Sequence, residues 1–158
     1  MADKAMSKIS SKILMDDIKS FMQGEISYEP SDSTEKWIYF EGSISSTSGD
    51  IVQGSQFLGT VTSTHANDVI KWLCIKNTST ESTDGIAICT NAGTAAWNGA
   101  ESMIIGSGEL FTCKPTNACS LADLHGISVT MDGTYGYATG TNTSSVSYQI
   151  AAILDDVA

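Results

Sequence analysis

The sequence predicts an all-β fold: an antiparallel β-sandwich or jelly roll of about eight strands behind an N-terminal amphipathic helix. Three observations carry that prediction. Short apolar runs with two-residue alternation recur from Lys36 onward, small polar residues separate them, and no helical pattern of about 10 to 15 residues intervenes. A chain of 158 residues suits one ordinary domain, burying roughly 70% of its unfolded surface without needing a metal or disulfide staple.

The first element departs from that pattern. Met6, Ile9, Ile13, Leu14, Ile18, Phe21 and Met22 form a stripe at helical spacing, while Lys8, Lys12, Asp16 and Lys19 fill the opposite side. Asp3 or Ser7 can cap the start and Gly24 can end it, so residues 1–24 read as a helical arm. The stripe has to bury either against the chain's own β-domain or on a neighbouring subunit. A membrane surface suits it poorly, because Asp16 and Asp17 interrupt the basic side and the stripe has no tryptophan. Residues 25–35, "EISYEPSDSTE", are polar around Pro30 and read as a linker.

Residues 36–158 form the predicted β-domain. The runs at 36–44, 56–62, 69–76, 85–90, 100–105, 109–114, 125–131 and 144–154 are rich in β-branched and aromatic residues, as strands require. The last is the clearest: Val146, Tyr148, Ile150, Ala152 and Leu154 share one face, with Ser147 and Gln149 on the other. Between the runs lie "SSTSGD", "NTSTESTDG", "NAGTAAWNG", "GSG", "DGTYG" and "TGTNTS", with a short helical turn expected around "SLADLHG".

Charge narrows the partners. Eighteen acidic residues oppose eight lysines, there is no arginine, and the net charge is −10. Nucleic-acid binding depends on a basic patch and favours arginine's two-pronged fork, so neither DNA nor RNA is an expected partner. Genome composition accounts for the missing arginine equally well. The apolar runs of about four to eight residues fall far short of the roughly 18 needed to span a membrane as a helix. The N-terminus shows no secretory pattern, which predicts synthesis and use from the cytoplasm.

Catalytic motifs are sparse. No G-x-S-x-G elbow and no phosphate-binding glycine pattern is present. His125 follows Asp123 by two residues and His65 sits in the polar loop "TSTHAND"; a strand-start role suits the first and plain exposure the second. Cys74, Cys89, Cys113 and Cys119 lack the close pairs of a structural zinc site and read as buried thiols, with a Cys113–Cys119 disulfide as the alternative. No catalytic, cofactor or metal residue is assigned. The triplets beginning at Asn77 and Asn142 read as turn composition. Trp97, Tyr135 and Tyr137 lie in predicted loops, where they are candidates for stacking on sugar rings, against partial burial at one end of a sandwich.

The runs "WLCIKNTSTESTDGIAI", "MIIGSGELFTCK" and "SLADLHGISV", with the closing strand ending "AAILDDVA", resemble the small β-sandwich virion proteins of tailed bacteriophages, especially marine ones. The matching positions are Ile75 to Asn77, Asp84 to Ile86, Gly108 to Phe111 and Leu124 to Val129, within a stretch covering about residues 69–158. The resemblance implies a non-enzymatic capsid decoration or cement subunit on the virion surface, binding the major capsid protein as a homotrimer. On that reading Met6, Ile9, Ile13, Leu14, Ile18, Phe21 and Met22 form the interface. A tail-fibre tip or carbohydrate-binding module using Trp97, Tyr135 and Tyr137 is the alternative.

Overall fold

The computed structural model describes residues 4–14, 19–30, 35–46, 49–50, 68–90, 95–100, 102–115 and 119–155, of which 11–14, 19–22, 36, 49–50 and 122 are described as backbone only. It is all-β. Among the described residues there is no α-helix, only a single 3-10 turn at Leu121–Asp123 inside "SLADLHG".

Two antiparallel sheets make the body. β3 (Lys36–Ile44), β11 (Val146–Asp155), β5 (Val69–Asn77) and β8 (Leu110–Cys113) form the first sheet, in that order. β10 (Ala138–Thr141), β9 (His125–Met131), β6 (Asp84–Cys89) and β7 (Met103–Ile105) form the second, with the two-residue β4 (Gly49–Asp50) also pairing with β9. One buried cluster draws on both sheets: Ile38, Leu73, Ile75, Tyr148 and Ile150 from the first, Ile86, Ile88 and Ile105 from the second. Each such aliphatic side chain contributes about 1.5–3 kcal/mol when taken out of water, so this shared core dominates the stability of the body.

The alternation expected along β11 holds: Val146, Tyr148, Ile150, Ala152 and Leu154 all enter the shared core. β6 is buried on both faces. Ile86 and Ile88 point into the shared core, while Ala87 and Cys89 join Ile127, Val129, Met131 and Ala95 in a second cluster. A polar peg joins the two sheets at the end of β5. Asn77 is fully buried; its Nδ2 donates to the carbonyl oxygens of Asp84 (3.0 Å) and Ile105 (3.2 Å), and its Oδ1 accepts from the Ser79 N–H at 2.9 Å. The Asp84 carboxylate in turn accepts from Ser79 Oγ at 2.6 Å and Asn142 Nδ2 at 2.8 Å.

The expected N-terminal helix over 6–22 is replaced by a β-hairpin, β1 (Ala5–Leu14) against β2 (Lys19–Tyr28). The spacing of the apolar residues fits a helix, but the composition works against one. Serines and β-branched isoleucines fill the segment, and both residue types are weaker helix formers than alanine or leucine. Unbroken antiparallel pairing from Ala5↔Tyr28 to Leu14↔Lys19 satisfies the backbone instead, with Lys8 opposite Glu25 and Gly24 opposite Ile9 inside the strands. The stretch read as a linker from residue 25 begins as strand, because β2 runs through Tyr28. The run at 56–62 lies outside the described residues. β10 forms from Ala138–Thr141, overlapping the "TGTNTS" segment read as a loop.

Candidate functional site

Among the described residues, the hairpin meets the body at its base. Ala5, Ile26 and Tyr28 pack with Trp72, Cys74, Ala151 and Ile153, which lie on the face of the first sheet that points away from the shared core. Ser7 Oγ and Thr112 Oγ1 are hydrogen-bonded at 2.9 Å, and Lys114 Nζ stands 5.6 Å from the centre of the Tyr28 ring. The Tyr28 hydroxyl donates to Glu35. The Trp72 indole N–H is buried and has no hydrogen-bond partner among the described residues.

Strand alternation puts Ala5, Ser7 and Ile9 on the same side of β1. Ala5 is 3% exposed, yet Ile9 is already 44% exposed, so the hairpin leaves the sheet within four residues. Met6, on the other side, is 51% exposed. Between this departing strand and the edge strand β8 lies an open groove of about 440 Å3, with Lys8, Ile9 and Ser10 on one wall and Leu110, Phe111 and Thr112 on the other. Leu110 is exposed on that edge.

Of the residues expected at an interface, Met6 and Ile9 are therefore open to solvent. Ile13, Leu14, Phe21 and Met22 belong to the hairpin by backbone register, with side chains outside the described residues; Ile18 lies wholly outside them. Charge separates this arm from the body. Residues 1–24 hold four lysines against three aspartates, a net +1, whereas residues 25–158 hold four lysines against fifteen acids, a net −11.

The three candidate stacking residues are not assembled at one end. β6 and β9 run antiparallel, with Cys89 opposite His125 and Asp84 opposite Thr130. The connection carrying Trp97 leaves β6 after Cys89 and re-enters through Met103, which pairs with Ile88. Tyr135 and Tyr137 belong to the turn that follows Met131, at the opposite end of the same strands. These two tyrosines do come together: their rings stack at 6.3 Å with a 16° interplanar angle, and they are 77% and 56% exposed.

Their turn is held tightly. Asp132 Oδ1 accepts from the Thr134 and Tyr135 N–H groups at 2.8 and 2.7 Å, and Gly136 supplies the positive φ of 71° that closes the loop. Beside it opens a depression of about 450 Å3 whose wall includes Thr80, Ser82, Ser107, Glu109, Asp132 and Tyr135.

The other chemistry-bearing residues have structural surroundings. His125 begins β9, opposite Cys89 and Asp50. Asp123 Oδ2 accepts from the Ser120 N–H and Oγ, each at 2.8 Å, capping the 3-10 turn. His65 lies outside the described residues. All four cysteines are free, so the Cys113–Cys119 disulfide is absent. Burial pushes the Cys113 thiol up to about 11, and burial followed by the nearby Asp123 charge does the same for Cys119. Such thiols stay protonated near neutrality and behave as small apolar groups. Among the described residues no cluster of three His, Cys, Asp or Glu side chains is placed to hold a metal ion.

Sequence reasoning passed over Trp37 and Tyr39. Both face outward from β3 and are more than two-fifths exposed, while their neighbour Ile38 enters the core and Phe40 packs against it. The alternation in "KWIYF" carried that signal. No protein-family model matches the sequence, and no curated protein matches it.

Proposed function

We infer that this chain is a non-enzymatic virion structural protein, a capsid decoration or cement subunit that binds the major capsid shell of a tailed bacteriophage and stabilises it. The observation that carries the reading is the N-terminal hairpin, fixed to the body by its base while Met6 and Ile9 stand in solvent. A free two-stranded hairpin is marginal in water, so an arm of ten-residue strands gains its stability from whatever it docks on.

The body is read as a β-sandwich, a compact support suited to an exposed particle surface. Its net charge of −11 outside residues 1–24 keeps like particles apart, while the slightly positive arm is the part suited to approach an acidic neighbour. Individually weak contacts would be multiplied by copy number, and a homotrimer places three arms on one side of a shared axis. The expected location is the capsid surface after synthesis in the host cytoplasm.

Quantitative protein analysis of purified particles tests this. Hundreds of copies per particle are expected. A handful of copies would transfer the protein to a tail-fibre tip, and none would remove the virion reading altogether.

A further inference from the structure

The turn between β9 and β10 shows an aromatic surface that the shell-binding reading does not use. Tyrosines exposed to 77% and 56% leave large apolar rings in water, yet the two stack on each other in a turn braced by Asp132 and Gly136. Their surroundings are small and polar: Gly133 and Thr134 within the turn and Thr139 on β10 are all exposed. Among the described residues, no broad apolar patch surrounds them of the kind that marks a protein–protein interface.

The adjoining depression of about 450 Å3 supplies hydrogen-bonding groups beside the rings. Glu109 uses Oε2 to accept from the Gly106 N–H at 2.7 Å, and Asp132 uses Oδ1 for its own turn. Each carboxylate thereby has one oxygen fixing the loop and a second that no described residue bonds. Ser82 and Thr80, both exposed, add hydroxyl groups at the rim.

We propose that this turn and depression form a binding site for a neutral glycan. A hexose ring offers a flat face of C–H groups that packs on an aromatic ring, and equatorial hydroxyls that donate to carboxylates and exchange hydrogen bonds with serine and threonine. Acidic sugars are disfavoured by Glu109, Asp132 and the net charge of −10. The braced turn lowers the ordering cost that a flexible loop would incur on binding. Trp97, rooted at the opposite end of β6, takes no part.

Binding of the full chain to an array of neutral, amino and uronic-acid oligosaccharides, followed by calorimetry with neutral gluco- and galacto-oligosaccharides, tests the proposal. The native chain should select neutral glycans. Tyr135→Ala and Tyr137→Ala should each weaken binding about tenfold, with unchanged melting temperatures because both rings are exposed. Tyr135→Phe, which keeps the ring, should retain most of the affinity, and Trp97→Ala all of it. Absence of neutral-glycan binding, selection of acidic sugars, loss of binding in Trp97→Ala, or full affinity in a Tyr135→Ala/Tyr137→Ala double variant would each overturn it.

Discussion

The arm and the body are built from the same antiparallel pairing, but they differ in what their strands meet. β11 pairs on both edges with β3 and β5, sends Ile150 into the shared core, and covers Ile153 on its other face with the hairpin base. β1 pairs only with β2 among the described residues, and its inward face is already open at Ile9. Hydrogen-bonded ladders are thus common to both regions, while among the described side chains apolar burial is concentrated in one. The body holds itself together; the arm is left with surface to offer. The net charges of +1 and −11 sharpen the division, since the arm, where Met6 and Ile9 are exposed, is also the part that the rest of the molecule does not repel.

The largest expected effect belongs to the body. Ile150→Ala should lower the unfolding free energy by about 2–5 kcal/mol in chemical denaturation, because Ile150 is fully buried in the core that both sheets share and its loss leaves a cavity there. A loss below about 1 kcal/mol would mean that the shared core is looser than described. Next comes the peg between the sheets: Asn77→Ala leaves the Asp84 and Ile105 carbonyls without their donor and should cost about 1–3 kcal/mol in the same measurement.

The body should also lose stability in alkali. Cys113 and Cys119 ionise near 9 in an unfolded chain but are pushed up to about 11 here by burial, and Tyr148 moves from 10 to about 12 for the same reason. Each group favours folding while protonated, so this contribution is complete below about pH 9 and declines as pH rises through 9 to 12. Denaturation midpoints at pH 8, 10 and 11 should fall in order, and Tyr148→Phe should flatten the fall above pH 10. A midpoint independent of pH would contradict the burial of these groups.

The smallest stability effect belongs to the arm. Ile9→Ser should change the unfolding free energy by no more than about 0.5 kcal/mol, since its side chain is 44% exposed. A loss as large as that of Ile150→Ala would erase the distinction between the two regions.

The same distinction explains what could be read from the sequence. β3 and β11 were legible because each buries one alternate set of residues in the shared core, and β9 because Ile127, Val129 and Met131 fall at alternate positions in the second cluster, which writes a period of two into the chain; β9 forms at the predicted 125–131. The arm was misread because its apolar residues satisfy two periods at once, and pairing between Ala5 and Tyr28 is a long-range choice that no local window contains. β10 escaped because "ATGT" carries small residues with little apolar signal. The aromatic candidates were legible as exposed loop residues, but their grouping was not. The turn braced by Asp132 and Gly136 puts Tyr135 beside Tyr137, and the antiparallel register of β6 and β9 roots Trp97 at the far end.

Shortening the arm tests the central claim most directly. Residues 9–24 are removed and Lys8 is joined to Glu25, its register partner, through an Asn-Gly turn, which keeps the docked base formed by Ala5, Ser7, Ile26 and Tyr28. Binding of this variant and of the full chain to capsid shells lacking the protein is then compared by co-sedimentation, alongside their melting temperatures. The account predicts a variant that melts within a few degrees of the full chain yet no longer sediments with shells; equal sedimentation of the two proteins would contradict it.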